Sequence, residues 1–335
     1  MHIKQMYSQI RKTIKEYDMI SAEDKVLVGV SGGADSVFLL NALVYLKKEL
    51  MFDIYVANID HGLRGKESSQ ESLFVKNLCK EKGIEYFTTK LCIKKDKKYS
   101  IEEVARKKRY AFFEKTAKQN KMNKIATAHN LDDQAETVLM RVIKGTSLRG
   151  LTGIPPVRKE KAITYIRPMI ELSKKDVLDV LKKGKIEFKE DSSNKEEIYF
   201  RNIVRKKILP YLEKYNPNII FSLSRMAESL REDKDFIDSG KKKLEQIMNC
   251  RKEKNKVEIP LSRIYLLSNV MQKEIIKDIL DDVGANLKKL SFVHWKQIRE
   301  LLKNGQTGKE LQMPGKVTVC RTKTALVIRR TGNRT

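Results

Sequence analysis

The run Val26-Leu-Val-Gly-Val-Ser-Gly-Gly-Ala-Asp-Ser36, continuing into Val37-Phe-Leu-Leu-Asn-Ala-Leu-Val44, leaves few folds open. The first stretch is short, apolar and β-branched, as a buried strand is; the glycines mark a turn, and the apolar run after them reads as a helix with a buried face. A strand that passes into a helix through glycine belongs to α/β sheets. It places the unpaired N–H groups of the helix start, and the positive end of its dipole, in the turn. Gly32 and Gly33 carry no Cβ, so an anion can come close to the backbone. Ser31 and Ser36 add hydroxyls, and Asp35 offers a carboxylate to a metal ion or a cationic side chain. The loop lacks the lysine of the G-x-x-x-x-G-K-S/T signature, so machinery for cleaving between the β- and γ-phosphates is not indicated. The plainer alternative is a strand–helix turn whose serines only cap the helix.

Candidate strands at 53–59, 84–91 and 124–128 and helices at 35–50, 69–82, 101–119 and 132–144 extend this start into a doubly wound, mostly parallel sheet. Ligands bind such sheets at the carboxyl ends of the strands. The segments 31–36, 60–65 and 129–136 should therefore converge on one crevice. Pro155-Pro156 breaks the alternation, further helices are expected at 173–183 and 201–212, and Tyr215-Asn-Pro217 marks a boundary. Beyond it helical periodicity dominates, and 308–330 alternates around Pro314-Gly315 as a small hairpin would. The expected organisation is a docking helix within 1–24 (Ile3, Met6, Ile10, Ile14), a catalytic domain over 25–214, a smaller and mainly helical domain over 218–330, and a tail at 331–335.

Charge narrows the partners. Lys and Arg number 69 against 43 Asp and Glu, a formal +26, which implies a polyanion. Nucleic acid fits better than a membrane, because the chain has neither an apolar run of about 18 residues nor a lipidation motif. Cys79, Cys92, Cys250 and Cys320 form no C-x-x-C and suit reduced thiols in a cytoplasmic protein.

Three further clusters carry chemistry. In His129-Asn-Leu-Asp-Asp-Gln-Ala-Glu136 the imidazole and the acids can share one face of a helix start. That arrangement suits a metal ion, an acidic grip on an ammonium group, or simply a favourable helix dipole with a structural histidine. Arg64, in Asp60-His-Gly-Leu-Arg64, could hold a phosphate or lie in a solvated turn. Arg106 and Arg109 recur at i, i+3, where a guanidinium can stabilise charge on a phosphate or simply line a basic face.

Taken in order, Ser31–Ser36, Asp60–Arg64, Arg106 with Arg109, His129–Thr137, Gly145–Gly150, Ile166-Arg-Pro168 and Glu190–Asn194 with Arg201-Asn202 resemble the tRNA(Ile)-lysidine synthetase family of the PP-loop ATP pyrophosphatase superfamily. The resemblance is strong over 25–212 and looser beyond. The serine–glycine loop points only to the superfamily; the other blocks narrow it.

The resemblance implies an ATP-dependent ligase that forms a C–N bond. ATP activates O2 of the wobble cytidine of a CAU-anticodon tRNA(Ile) as an adenylate, and the ε-amine of free L-lysine attacks C2. It further implies ATP held by Ser31, Gly32, Gly33, Ala34, Asp35 and Ser36 with Mg²⁺, and Asp35 beside the reacting phosphate as a metal ligand and partner of Arg109. Arg109 and His129 would stabilise the transition state, Asp133 and Glu136 would recognise lysine, and Arg64, Arg201 and Arg205 would touch tRNA. Tyr199 and Phe200 are weaker candidates as base readers, Phe200 fitting the core equally well. A cytoplasmic enzyme, free of membrane and able to form a homodimer, completes the expectation. Many family members extend into a further C-terminal domain, so a chain ending at Thr335 is expected as a two-domain short form or as a truncated piece. The nearest rival is a tRNA 2-thiolation enzyme, which generally uses catalytic cysteines or C-x-x-C clusters. A nucleotide-sensing RNA-binding protein without chemistry would not need Asp133, Glu136 and Arg109.

Overall fold

The computed structural model describes residues 2–60, 66–90, 101–189, 200–248 and 250–331. Its contacts divide it into two compact units, Met1–Leu230 and Arg231–Thr335.

In the first unit, α1 (Ile3–Glu16) precedes β1 (Lys25–Gly29). The chain then alternates α2 (Ala34–Leu50), β2 (Asp53–Asp60), α3 (Lys66–Glu81), β3 (Glu85–Lys90), α4 (Ile101–Gln119), β4 (Lys124–Ala126) and α5 (Leu131–Lys144). After these come α6 (Leu148–Leu151), β5 (Val157–Glu160), β6 (Ile163–Ile166), α7 (Lys174–Lys183), α8 (Phe200–Ile203), a π-helical turn at Val204–Ile208, α9 (Leu209–Glu213) and α10 (Ile219–Ile247).

The six-stranded sheet has the order β3-β2-β1-β4-β6-β5, parallel except for β5. Both faces are covered, as an almost wholly parallel sheet requires. The two-residue period of the strands sorts the core: Val26, Val28, Ile54 and Val56 face α1, α2 and α7, while Leu27, Ala57 and Ile59 face Phe113 and Ala117 of α4. Gly29 is needed on that second face, because a Cβ there would come within 2.9 Å of the Phe113 ring. The helix expected as an N-terminal docking segment is integral to the core: Met6, Tyr7, Ile10 and Ile14 of α1 are buried, and Tyr7 packs 5.6 Å from Phe38 of α2. The β5–β6 hairpin was not foreseen. Its outer strand carries exposed Arg158, Lys159 and Glu160, as a protected sheet edge does, and so shows no apolar alternation.

The second unit contains β7 (Arg251–Glu253), β8 (Lys256–Pro260), α11 (Leu261–Ile264), α12 (Asn269–Asp282), a 3₁₀ turn at Leu287–Lys289, α13 (Phe292–Asn304), β9 (Glu310–Met313), β10 (Val317–Arg321) and β11 (Ala325–Arg330). The hairpin expected around Pro314-Gly315 is β9–β10, and it belongs to a wider five-stranded antiparallel sheet ordered β7-β8-β11-β10-β9. Val257, Ile259, Val317, Val319, Leu326 and Ile328 face a core shared with Ile275 and Ile279 of α12 and Ile298 and Leu301 of α13. The division between units falls inside α10. The break at Asn216-Pro217 does separate α9 from α10, but the first turns of α10 stay with the first unit, where Tyr17 donates to Glu228 at 3.4 Å. Among the described residues no helix is long and apolar enough to cross a membrane.

Candidate active site

The strand order reverses between β1 and β4: the chain moves one way from β1 through β2 to β3 and the other way from β4 to β6. This is the switch point at which such sheets leave a crevice beyond the strand ends. The serine–glycine loop leaves β1 there, and the His129–Glu136 segment leaves β4 beside it.

The loop is pinned before it turns. The Val30 N–H donates to Ala57 O at 2.9 Å, and the buried Asn58 side-chain amide donates to Val30 O at 2.8 Å. Asn58 Oδ1 in turn accepts from Ser72 Oγ at 2.5 Å and Tyr86 OH at 3.2 Å. Gly32 then adopts φ +94°, a conformation only glycine takes without strain. Ser36 Oγ donates to Gly33 O at 2.9 Å and accepts from the Ser31 N–H at 3.2 Å, so the two ends of the loop are tied together. Gly33 is the N-cap of α2 and supplies no side-chain cap, which leaves the N–H groups of the first turn to a ligand.

Asp35 stands in that first turn. Its Oδ1 is buried without a hydrogen-bond partner. Burial pushes its carboxyl from the ordinary 3.8 up to about 6, aided by the nearby charges of Asp133 and Asp132 and opposed by Lys174 and a hydrogen bond from Asn130. The leading cation acting on Asp35 is thus Lys174, where the resemblance points to Arg109.

α5 begins with a reciprocal cap: the Asp133 N–H donates to Asn130 Oδ1 at 2.9 Å, and the Asn130 N–H donates to Asp133 Oδ2 at 3.1 Å. Asp132 Oδ2 accepts from the Lys174 backbone N–H at 2.8 Å, tying the α5 start to that of α7. Asp133 and Glu136 then share a helix face and meet two arginines. Arg201 donates to Asp133 Oδ1 at 2.7 Å and to Glu136 Oε2 at 2.6 Å. Arg205 donates through Nε to Glu136 Oε1 at 2.5 Å and through Nη2 to Oε2 at 3.1 Å. Glu136 is only 1% exposed. Burial pulls both guanidinium pKa values down, but the facing carboxylates outweigh it and hold them above the ordinary value. The π-helical turn that carries Arg205 precedes Pro210, whose ring and missing N–H forbid an ordinary helical bond to the carbonyl of Lys206.

His129 Nδ1 lies 2.9 Å from Thr127 Oγ1. Burial, and then the charges of Arg167, Arg106, Arg201 and Arg109, hold its imidazole well below the ordinary 6.5. At neutral pH it is therefore an uncharged ring among guanidiniums. Arg167 is 3% exposed; it donates to Pro155 O at 2.5 Å, and its Nε lacks a hydrogen-bond partner. Burial lowers its pKa to about 10 despite the opposing influence of Tyr110.

The structure thus brings Ser31–Ser36, His129, Asp133, Glu136, Arg201 and Arg205 to one switch point, with Arg109 of α4 within electrostatic reach of His129. Arg201 and Arg205, expected against tRNA, lie on the acid pair. Phe200, weighed as a base reader, has the Lys144 ammonium 5.1 Å from its ring centre. Arg64, Tyr199 and Cys92, with the segments 61–65 and 190–194, fall outside the described residues. Asn58, Thr127, Asn130 and Lys174 were not anticipated. Only Asn130 left a sequence signal, as a capping residue three positions before an acid.

A family model described as a PP-loop domain matches residues 3–212. The chain is 34% identical to the tRNA(Ile)-lysidine synthase of Clostridioides difficile over 328 residues, 96% of this chain and 70% of that protein. It is 37% identical to the enzyme of the same name from Clostridium tetani over 317 residues, 93% of this chain and 66% of that one. Among solved structures it is similar to the U34-tRNA thiolase of Methanococcus maripaludis, determined with its 4Fe–4S cluster, at TM-score 0.59 and 25% identity over 69% of this chain and 78% of that one. The cysteines described here do not gather at the switch point: Cys79 lies in the core, where burial pushes its thiol up to about 11, and Cys250 and Cys320 belong to the second unit. The chain belongs to the tRNA(Ile)-lysidine synthase family of PP-loop proteins.

Proposed function

We propose that this chain joins L-lysine to C2 of the wobble cytidine of a CAU-anticodon tRNA(Ile), consuming ATP through an adenylated cytidine and releasing AMP and pyrophosphate. The observation that carries this reading is the meeting of two unlike binding elements at one switch point. An uncapped helix start suits phosphates, and a paired-acid face suits an ammonium group.

The reaction order follows from the chemistry. The C2 oxygen is a poor leaving group until it carries AMP, so ATP must act first. The loop amides and the Ser31 and Ser36 hydroxyls would take the departing pyrophosphate. Asp35 fits Mg²⁺, since a buried carboxylate oxygen without a partner and with a raised pKa is favourably used by a cation. Bound there, the ion would share the phosphate charge. His129, neutral, can donate one N–H but carries no charge; with the Thr127 hydroxyl donating to Nδ1, its Nε2–H is left for a phosphate oxygen. Arg109 would supply the positive charge.

Lysine recognition by Asp133 and Glu136 requires an exchange. Arg201 and Arg205 occupy most of the acceptor capacity of Glu136, so an arriving ammonium must replace at least one guanidinium N–H there. The guanidinium released can turn to phosphate, which keeps every charge paired. The attacking amine, with an unperturbed pKa of about 10.4, must also lose a proton in the site. We place the reaction in the cytoplasm.

The test is incubation with ATP, Mg²⁺, radiolabelled lysine and CAU-anticodon tRNA(Ile). Label should enter the tRNA and disappear when C34 is replaced by U. Folded protein that gives no incorporation would overturn the reading. Sulfur transfer in its place would favour the thiolation alternative.

A further inference from the structure

The helical run that carries Arg201 and Arg205 goes on to an exposed aromatic cluster that the reaction above does not use. Tyr211 of α9 and Tyr215 just after it are 55% and 75% exposed. Their rings meet edge to face, 5.5 Å apart at 63°, and their hydroxyls lie 3.1 Å apart. Phe221, on the first turn of α10 in the same unit, is 53% exposed. Cations frame these rings: Lys214 lies 5.8 Å from the centre of Tyr211 and Arg225 lies 5.7 Å from that of Phe221, while Lys206 and Lys207 are exposed on the preceding turn.

Two large rings held open to solvent bury little apolar surface, so folding does not account for them. Rings interleaved with lysine and arginine are what a single-stranded nucleic acid needs: bases stack on the faces while cations follow the phosphates. A protein partner would match the apolar area equally well, but not the surrounding positive charge on a chain of net +26.

We propose that Tyr211 and Tyr215 form a stacking platform for an unpaired anticodon-loop base that flanks the modified cytidine. This rests on the tRNA(Ile) reading and extends it. The distance fits. At about 1.5 Å of rise per residue, Tyr211 lies roughly 9 Å along the helix from Arg205 and 15 Å from Arg201. That is about three to four stacked nucleotides at roughly 3.4 Å each, within the reach of one loop. With C34 in the crevice, a neighbour a few positions away meets the rings. Stacking is tolerant of base identity, so the platform positions the loop, and the choice of cytidine is left to the crevice.

The test uses the full chain and an anticodon stem-loop carrying 2-aminopurine in turn at each loop position except C34. Wild-type protein should quench one flanking position. The Tyr211→Ala/Tyr215→Ala variant should lose that quenching and bind on the order of 5- to 100-fold more weakly, with the salt dependence of binding unchanged, because no phosphate contact has gone. Tyr211→Phe/Tyr215→Phe should keep both the quenching and the affinity. ATP-dependent lysine incorporation at saturating tRNA should persist in all variants, with the loss appearing in KM. Quenching unchanged in the alanine variant would overturn the platform, as would phenylalanine variants as weak as the alanine ones. Wild-type protein that incorporates no lysine would instead overturn the reading on which the platform rests.

Discussion

Asp35 is electrostatically misplaced in the protein without its substrates, and replacing it should make the fold more stable as it destroys function. Burial raises its carboxyl from 3.8 to about 6, and its Oδ1 is buried without a partner. The native state therefore binds this proton more tightly than the unfolded chain does. Below pH 3.8 both states hold the proton and the site costs nothing. Between 3.8 and about 6 the unfolded chain releases it first, so stability falls as pH rises; above about 6 the full cost is in place. A tenfold change in proton affinity is worth about 1.36 kcal/mol, so the cost approaches about 3 kcal/mol at neutral pH. Asp35→Asn removes the ionisation and nearly keeps the shape. In urea titrations between pH 3.5 and 8, the variant should match wild type at the acid end and exceed it by up to about 3 kcal/mol above pH 6.5, a gain of roughly 6–12 °C for a unit of this size. It should form no lysidine. ATP with Mg²⁺ should raise the melting temperature of wild type far more than that of the variant. A variant less stable than wild type at pH 7.5, or a difference that does not change with pH, would refute the burial argument.

Glu136→Gln should cost about 3 kcal/mol, because it leaves two half-buried guanidiniums to share Asp133, and a double-mutant cycle with Arg205→Gln should recover a large part of that; additive losses in urea titrations would mean the two side chains do not meet in solution. Gly29→Ala should destabilise by about 1–3 kcal/mol through the Phe113 ring, and Phe113→Leu in the same chain should relieve the clash; circular-dichroism melts that show no relief would place the strain elsewhere. Cys79, buried and with its thiol pushed up to about 11, should resist iodoacetamide at pH 8 until the protein is unfolded, as mass-spectrometric mapping would show; rapid labelling of the native protein would contradict its place in the core.

What the sequence disclosed was the local part of the site. β1, its loop and α2 are contiguous, and the glycines, the β-branched strand and the apolar helix each signal the same turn. The α5 start was readable for a similar reason, since a capping residue and two acids fall within one turn. Contacts between distant segments were not readable. Nothing near Arg201 or Arg205 points to Asp133 and Glu136, which reach them only because the strand order brings α5 to the run after α7. In a chain of +26 every basic residue points toward RNA, and that surplus masks two arginines engaged inside the protein. Asn58 was invisible for the opposite reason. A lone asparagine in a strand looks incidental until its side chain is seen to hold the phosphate loop to its neighbour.

The charges at the switch point explain why so basic a protein need not bind every anion it meets. Arg201 and Arg205 spend their hydrogen bonds on Asp133 and Glu136, so a stray phosphate that draws one away leaves the buried Glu136 carboxylate with a single guanidinium and fewer of its hydrogen bonds. On the proposed reaction, a lysine arriving with ATP would remove that penalty, its ammonium taking the place of the guanidinium on the acid. Likewise, an ionised Asp35 is unfavourable until a cation reaches Oδ1. On that proposal the substrates would reinforce one another: phosphate would pull the arginines, the acids so freed would attract the ammonium, and the amine would come to lie beside the activated base. Selectivity for the complete set of substrates would then follow from the hydrogen bonds that a partial set leaves unmade at Glu136 and Asp35. Binding of lysine and of a non-hydrolysable ATP analogue should accordingly be cooperative in calorimetric titrations, and independent binding of the two would remove the basis for this exchange.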